Sequence, residues 1–276
     1  MITVQQLPFP AFDEQLPFLN QFISELVDVY KAGELNSWDA LDEKVKTFFM
    51  PGRMEQMEVI VPGWKKMASY VEGVTLTHVM CVFLGMYIEP EYLRLTQEQQ
   101  EEMKWVILFH DVEKQPLAGK RDHAHAFRSA AGAARTLPRL GFPVTSEYNS
   151  LIAEWDQFIR SATTKLGNSA DDIQDNLKLP TILDGIDQLF GKNTPAALII
   201  KTVLFHLSVN MDMWPPPNPL TNDEVKRYFN SELAAPLLIM NLGDNDGWTF
   251  FDYDVRESQR VDILDKFEKI EQLLSS

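Results

Sequence analysis

The sequence predicts an all-α protein, and three observations carry that prediction. Apolar residues recur at three- and four-residue steps along most of the chain, few segments alternate in the manner of strands, and helix start signals precede apolar runs at Ser37, Thr96, Pro195 and Thr221. From Leu16, the residues Leu19, Phe22, Ile23, Leu26, Val27 and Tyr30 form one apolar stripe that ends at Gly33, an amphipathic helix with a glycine stop. Ser37 caps a short helix through Phe49 that Pro51-Gly52 closes, and Pro62-Gly63 breaks the chain before a long helix holding His78. Thr96 and Gln99 have capping-box spacing and open a helix through Met103, Val106, Ile107 and His110. A helix rich in small residues, Ala130, Ala133 and Ala134 with Leu137, stops at Gly141. A further helix covers about 146–164, and the polar run K-L-G-N-S-A-D-D-I-Q-D-N reads as a loop or insertion. Pro195 starts a helix ending near Asn210, and M-W-P-P-P-N-P is a rigid connector because consecutive prolines cannot continue a helix. Thr221 and Glu224 open another helix, one more runs through Leu237, Met240 and Asp244, and the last spans about 255–274.

The 276 residues suffice for a sizeable buried core, and 45% hydrophobic with 24% charged residues is a globular profile. Forty acidic against 25 basic residues leave a net charge of −15, which argues against nucleic acid as the main partner, since binding phosphate backbones requires a basic footprint. The single cysteine, Cys81, excludes an internal disulfide and suits a reducing compartment; among V-M-C-V-F-L it reads as a small buried apolar residue. The N-terminus lacks the basic residues of a signal peptide, and no apolar run is long enough to span a bilayer, so a cytoplasmic protein with no membrane partner is expected.

The five histidines are His78, His110, His123, His125 and His206. His78 shares a helix face with Val74 and Cys81, His110 with Val106 and Met103, and His206 with Leu198 and Thr202. An imidazole on an apolar face needs a hydrogen-bond partner or a metal, because burying it unpaired is costly. Any one of them is satisfied by an ordinary core position. Several in one helical chain, with Asp111 directly after His110, point to a mixed imidazole and carboxylate site of the kind that holds Zn²⁺, Mn²⁺ or Fe²⁺.

These residues resemble the HD superfamily of metal-dependent phosphohydrolases, whose pattern is a histidine on one helix, a His-Asp pair on the next and a distant aspartate. L-T-H-V-M supplies His78, L-F-H-D-V-E-K supplies His110 and Asp111, and L-L-I-M-N-L-G-D supplies Asp244. Over roughly 70–250 the chain is similar to HD-GYP phosphodiesterases and to the HD domain of bacterial tRNA nucleotidyltransferase. Lys114 stands at the lysine of their H-D-I-G-K motif, and H-A-H-A-F-R places His125 on a motif histidine, with Ala126 where a glutamate is usual. V-L-F-H-L puts His206 on a ligand position; an insertion over 165–195 accounts for the long gap before it. Asp246 and Asp156 are the alternatives to Asp244 as last ligand. No nucleotidyltransferase head is present, since Asp171-Asp172 lacks a preceding Gly-Ser turn, which excludes tRNA maturation.

The resemblance implies an HD-like helical bundle at 63–276, with an N-terminal helical segment at 1–62 packed on it. It implies one or two divalent ions (Mn, Fe, Zn, Ni, Co or Mg): one held by His78, His110, Asp111 and Asp244, and a second completed by His125 and His206 with Asp111 bridging. Asp111, Lys114 and Arg128 are then the candidate catalytic residues, the two cations as contacts to a small phosphorylated substrate, a phosphomonoester or phosphodiester such as a nucleotide. Lys120 and Arg121 read as solvated loop charge. Trp248 and Phe250-Phe251 are either core aromatics or a wall for a ring, and Trp214 with Pro215-Pro216-Pro217 is a connector that could cover a cleft. Two other functions use the same ligands, a diiron oxygenase and a non-catalytic metal-binding sensor or interaction domain.

Overall fold

The structure is a computed structural model that describes residues 7–69, 73–115, 121–169, 171–209 and 217–276. Among these residues it is an all-α fold with one two-stranded hairpin. The N-terminal helices are α1 (Phe12–Gln15), α2 (Pro17–Lys31), α3 (Trp38–Phe48), α4 (Pro51–Ile60) and α5 (Trp64–Ala68). Next come α6 (Val74–Ile88), α7 (Pro90–Leu93), α8 (Gln97–Phe109), α9 (His125–Thr136) and α10 (Tyr148–Ser161). Strands β1 (Thr163–Lys165) and β2 (Asp172–Gln174) pair antiparallel, and the chain ends with α11 (Leu179–Phe190), α12 (Pro195–Phe205), α13 (Asn222–Tyr228), α14 (Ser231–Thr249) and α15 (Tyr253–Ser275).

The start signals act as the sequence indicates. Ser37 and Thr194 each accept a hydrogen bond from the backbone N–H three residues on, while Thr96–Gln99 and Thr221–Glu224 form complete capping boxes. The stop at Gly33 is a left-handed residue with φ 77°. Two boundaries differ from expectation. Pro51 opens α4 instead of closing the region, because its missing N–H and fixed φ suit the first helical position. The expected insertion over 165–195 is not structureless: β1 and β2 form its start, and α11 buries Leu179, Ile182, Ile186 and Leu189 on one face. The expected helix end at Asn210 lies outside the described residues; α12 ends at Phe205.

Helix α6 is the axis of the core. Every residue from Thr75 to Met86 is buried, and it packs against α2, α3, α5, α8 and α14, so one continuous core joins the N-terminal helices to the rest. Cys81 lies fully buried on α6, where burial raises its thiol pKa and keeps it unreactive. Glycines bring α6 and α14 unusually close. A Cβ at Gly85 would lie 3.0 Å from the Asp246 Cβ, and one at Gly243 would lie 3.1 Å from Val82. At α14 Asp246, Arg256 makes two hydrogen bonds of 2.9 and 2.7 Å, and Arg260 joins Asp246 to Glu89. This buried ion network ties α14 to α15 and to the end of α6. No helix among the described residues is long and apolar enough to cross a membrane.

On α8, burial, with repulsion from Glu98 and Glu232, pushes the Glu102 carboxyl up from 4.5 to about 7. A carboxyl raised in the fold leaves stability intact below its unfolded value and removes it as pH rises through the folded one. We predict that Glu102→Gln matches wild type in thermal melts near pH 4.5 and gains on it progressively up to pH 8, by at most roughly 3 kcal/mol. A difference independent of pH would show that ionisation of Glu102 carries no cost.

Candidate metal centre

Five elements bring six ionisable side chains to one point. His78 projects from the first half of α6, His110 and Asp111 follow the end of α8, His125 begins α9, His206 follows the end of α12, and Asp244 lies on α14. All six are buried, the most exposed being Asp244 at 7%. They form two groups whose ligand atoms lie within 4.8 Å of one another and could hold a metal ion: His78, His110 and Asp244, and Asp111, His125 and His206.

Asp111 joins the groups. Its Oδ1 lies 2.8 Å from His125 Nε2, and its Oδ2 lies 3.7 and 3.8 Å from the Nε2 atoms of His110 and His78. The same Oδ2 accepts a hydrogen bond from Lys114 Nζ at 2.8 Å. Asp244 Oδ1 sits 2.9 Å from His78 Nε2 and 3.9 Å from His110 Nε2.

Three of the four imidazoles are oriented by backbone. His110 Nδ1 is 2.7 Å from the Ile107 carbonyl, His206 Nδ1 is 2.7 Å from that of Val203, and His125 Nδ1 is 2.5 Å from that of Asp122. A carbonyl only accepts, so each Nδ1 carries the hydrogen and each Nε2 presents a lone pair inward. His125 and His206 therefore face each other Nε2 to Nε2 at 3.2 Å, and His125 Nε2 also faces a carboxylate oxygen. Acceptor facing acceptor at that distance is repulsive, and a shared cation removes the repulsion. Two nitrogens bound to one ion at about 2.0–2.1 Å stand about 3.0–3.4 Å apart, which matches both this pair and the 3.4 Å between His78 and His110. The donor set of four imidazoles and two carboxylates fits a divalent metal.

The electrostatics keep the ligands in their metal-binding forms. Burial pushes His206 down to about 3, helped by His125 and His110, and burial likewise lowers His110. Burial alone raises Asp111, but the Lys114 ammonium on its Oδ2 leads the opposing influences, and the carboxyl stays well below its usual range. The same balance lowers Asp244, where the hydrogen bond from His78 is the largest opposing influence. At neutral pH no proton competes for His206, Asp111 or Asp244.

The other candidate residues are placed elsewhere. Asp246 faces its arginines and Asp156 is held by Arg135 and Arg160, so neither alternative ligand enters the centre. Arg128 is engaged by the Asp122 carboxylate, which also accepts the Gln115 N–H, so it braces the segment whose carbonyl orients His125. Arg121 is exposed, and Lys120 and Trp214 with Pro215 and Pro216 lie outside the described residues. His123 forms a backbone bridge to Ile173 of β2 and belongs to neither ligand group. Phe250 is a core aromatic against Tyr30, whereas Trp248 stacks on His78. Asp122 is not legible as a site residue in the sequence, because the group that orients His125 is its backbone carbonyl, which leaves no signal in residue type.

No protein-family model matches the chain, and neither does any curated protein or solved structure.

The fit to a cation has a direct thermodynamic consequence. Mn²⁺ or Zn²⁺ at 100 times its dissociation constant should stabilise the metal-free protein by about 2.7 kcal/mol. Melting temperature should rise by several degrees, reverse on chelation, and rise markedly less in Asp111→Ala, which loses a member of one group and the carboxylate shared with the other. An unchanged melting curve at millimolar metal would refute the site.

Proposed function

We propose that the chain is a metal-dependent phosphohydrolase acting on a small phosphomonoester or phosphodiester, such as a nucleotide. The observation that carries this reading is Asp111, one carboxylate shared by two histidine groups with the Lys114 ammonium on its Oδ2. The H-D-x-x-K resemblance to HD phosphohydrolases supports it from the sequence side. A bound divalent ion supplies Lewis acidity toward a phosphoryl oxygen and lowers the proton affinity of water.

The chain's own residues supply the rest. Asp111 and Asp244 would provide the negative charge to retain such an ion, and the fixed tautomers of His110, His125 and His206 would offer it their Nε2 lone pairs. Lys114, half-buried three residues past Asp111, would take a phosphoryl oxygen and offset its charge. This local cation lets an acidic chain accept an anionic substrate, because the field inside a buried site is set by its nearest charges. Burial of all six ligands excludes bulk water.

A panel of p-nitrophenyl phosphate, bis(p-nitrophenyl) phosphate and nucleotides, with Mn²⁺, Co²⁺ or Mg²⁺, tests the reading. At least one ester should be turned over, Asp111→Ala should abolish turnover, and Lys114→Met should lower kcat/KM roughly 100-fold. No turnover sensitive to Asp111→Ala would end the phosphohydrolase reading. Purified protein carrying two irons with an oxygen-dependent colour change would replace it with an oxygenase.

A further inference from the structure

His78 is the exception among the four histidines. Its ring is fully buried, yet among the described residues Nδ1 has no hydrogen-bond partner, whereas the other three each hold a backbone carbonyl there. It sits inside α6, where the carbonyls of the preceding turn are taken up by the helix and are not free to orient it. What touches the ring instead is Trp248, stacked at 4.2 Å between centroids with 18° between planes. Gly247 makes this possible, since a Cβ there would lie 2.5 Å from His78 Nδ1 and Cε1.

Trp248 is itself held in place. Trp38 of α3 runs nearly parallel to it at 6.1 Å and 12°, and Lys114 Nζ lies 5.7 Å from its ring centre. The same helix α3 reaches the neighbouring residue, because Asp42 accepts a hydrogen bond of 2.6 Å from Thr77. An indole left 42% exposed against a buried imidazole contributes little to the core. Its contact with His78 is what its position accomplishes.

We infer that Trp248, backed by Trp38, is a positioning residue for the ligand His78: the stacked indole fixes the imidazole plane where the other three histidines use a carbonyl. The N-terminal helices thereby take part in the metal centre. The inference rests on the metal-centre reading, and it is specific to one of the two ligand groups, because the His125 and His206 rings have their own backbone partners.

That asymmetry is the test. Mn²⁺ stoichiometry and affinity are measured by chelator competition and elemental analysis on wild type, Trp248→Leu, Trp248→Phe and Trp38→Leu. Wild type should bind two ions. Trp248→Leu should keep the ion of Asp111, His125 and His206 and lose roughly 10- to 100-fold in affinity for the other. Trp248→Phe should recover most of that loss, Trp38→Leu should show a smaller one, and all metal-free variants should melt with wild type. Quenching of tryptophan emission by Mn²⁺ should be largely absent in Trp248→Phe. Two ions bound to Trp248→Leu with wild-type affinity would overturn the inference, as would equal loss at both sites or no recovery with phenylalanine. Wild type binding no metal would instead remove the metal-centre reading beneath it.

Discussion

The centre depends on one carboxylate having two oxygens that face different neighbours. Asp111 turns Oδ1 to His125 and Oδ2 to Lys114, His110 and His78. It can do so because α8 ends at Phe109: in the turn that follows, the side chain points between helices instead of along one. Burying six ionisable groups together is costly unless each is paired or bound to an ion. The rest of the fold reads as the means of meeting that condition. Glycines bring α6 and α14 together, the arginines on Asp246 lock α14 to α15, and α9 and α12 deliver their histidines from opposite directions along the chain, α9 by its start and α12 by its end.

Fold class was legible because helix periodicity and caps are local. Ser37, Thr96, Thr194 and Thr221 act within four residues of themselves, and their effect survives any tertiary context. Helix α11 was hidden for a different reason. Its apolar residues at 179, 182, 186 and 189 have helical spacing, but they follow a polar run that also contains part of a hairpin, so in sequence the two merge into one insertion. Pro51 is ambiguous in sequence because a proline can close one helix or open the next, and only the chain's path decides which.

Of the six residues of the centre, His78, His110 and His206 are legible as histidines on apolar faces and Asp111 by its place directly after His110, while His125 and Asp244 are legible only through the motif resemblance. The environment of the six is not. Asp246 is two residues from Asp244 and equally acidic, yet arginines 10 and 14 residues further on claim it. Nothing in the local sequence separates the two aspartates; a helix rotation of about 200° over two residues does. Trp38 reaches the centre from 40 residues before His78 and 210 before Trp248, a separation at which sequence pattern carries no information. Arg128 resembled a phosphate contact because its partner, Asp122, is an ordinary loop residue until the chain folds.

The histidines divide by where they sit relative to helix ends, and that division explains how a small set of residues specifies the geometry. His110 and His206 each stand one residue past a helix end, and each Nδ1 donates to a carbonyl of the last turn that the helix leaves without a partner. The hydrogen bond that terminates the helix is therefore the one that fixes the tautomer and aims Nε2 inward. His125, at the start of α9, uses the loop carbonyl of Asp122 in the same way. For these three, placing the helix boundary places the ligand, and no further side chain is needed. His78 has no such end to use, and there the chain recruits Gly247 for clearance, Trp248 for the ring plane and α3 behind them. The mid-helix histidine is the one whose contacts come from distant sequence, and the N-terminal helices that supply them share one core with the elements of the candidate metal centre.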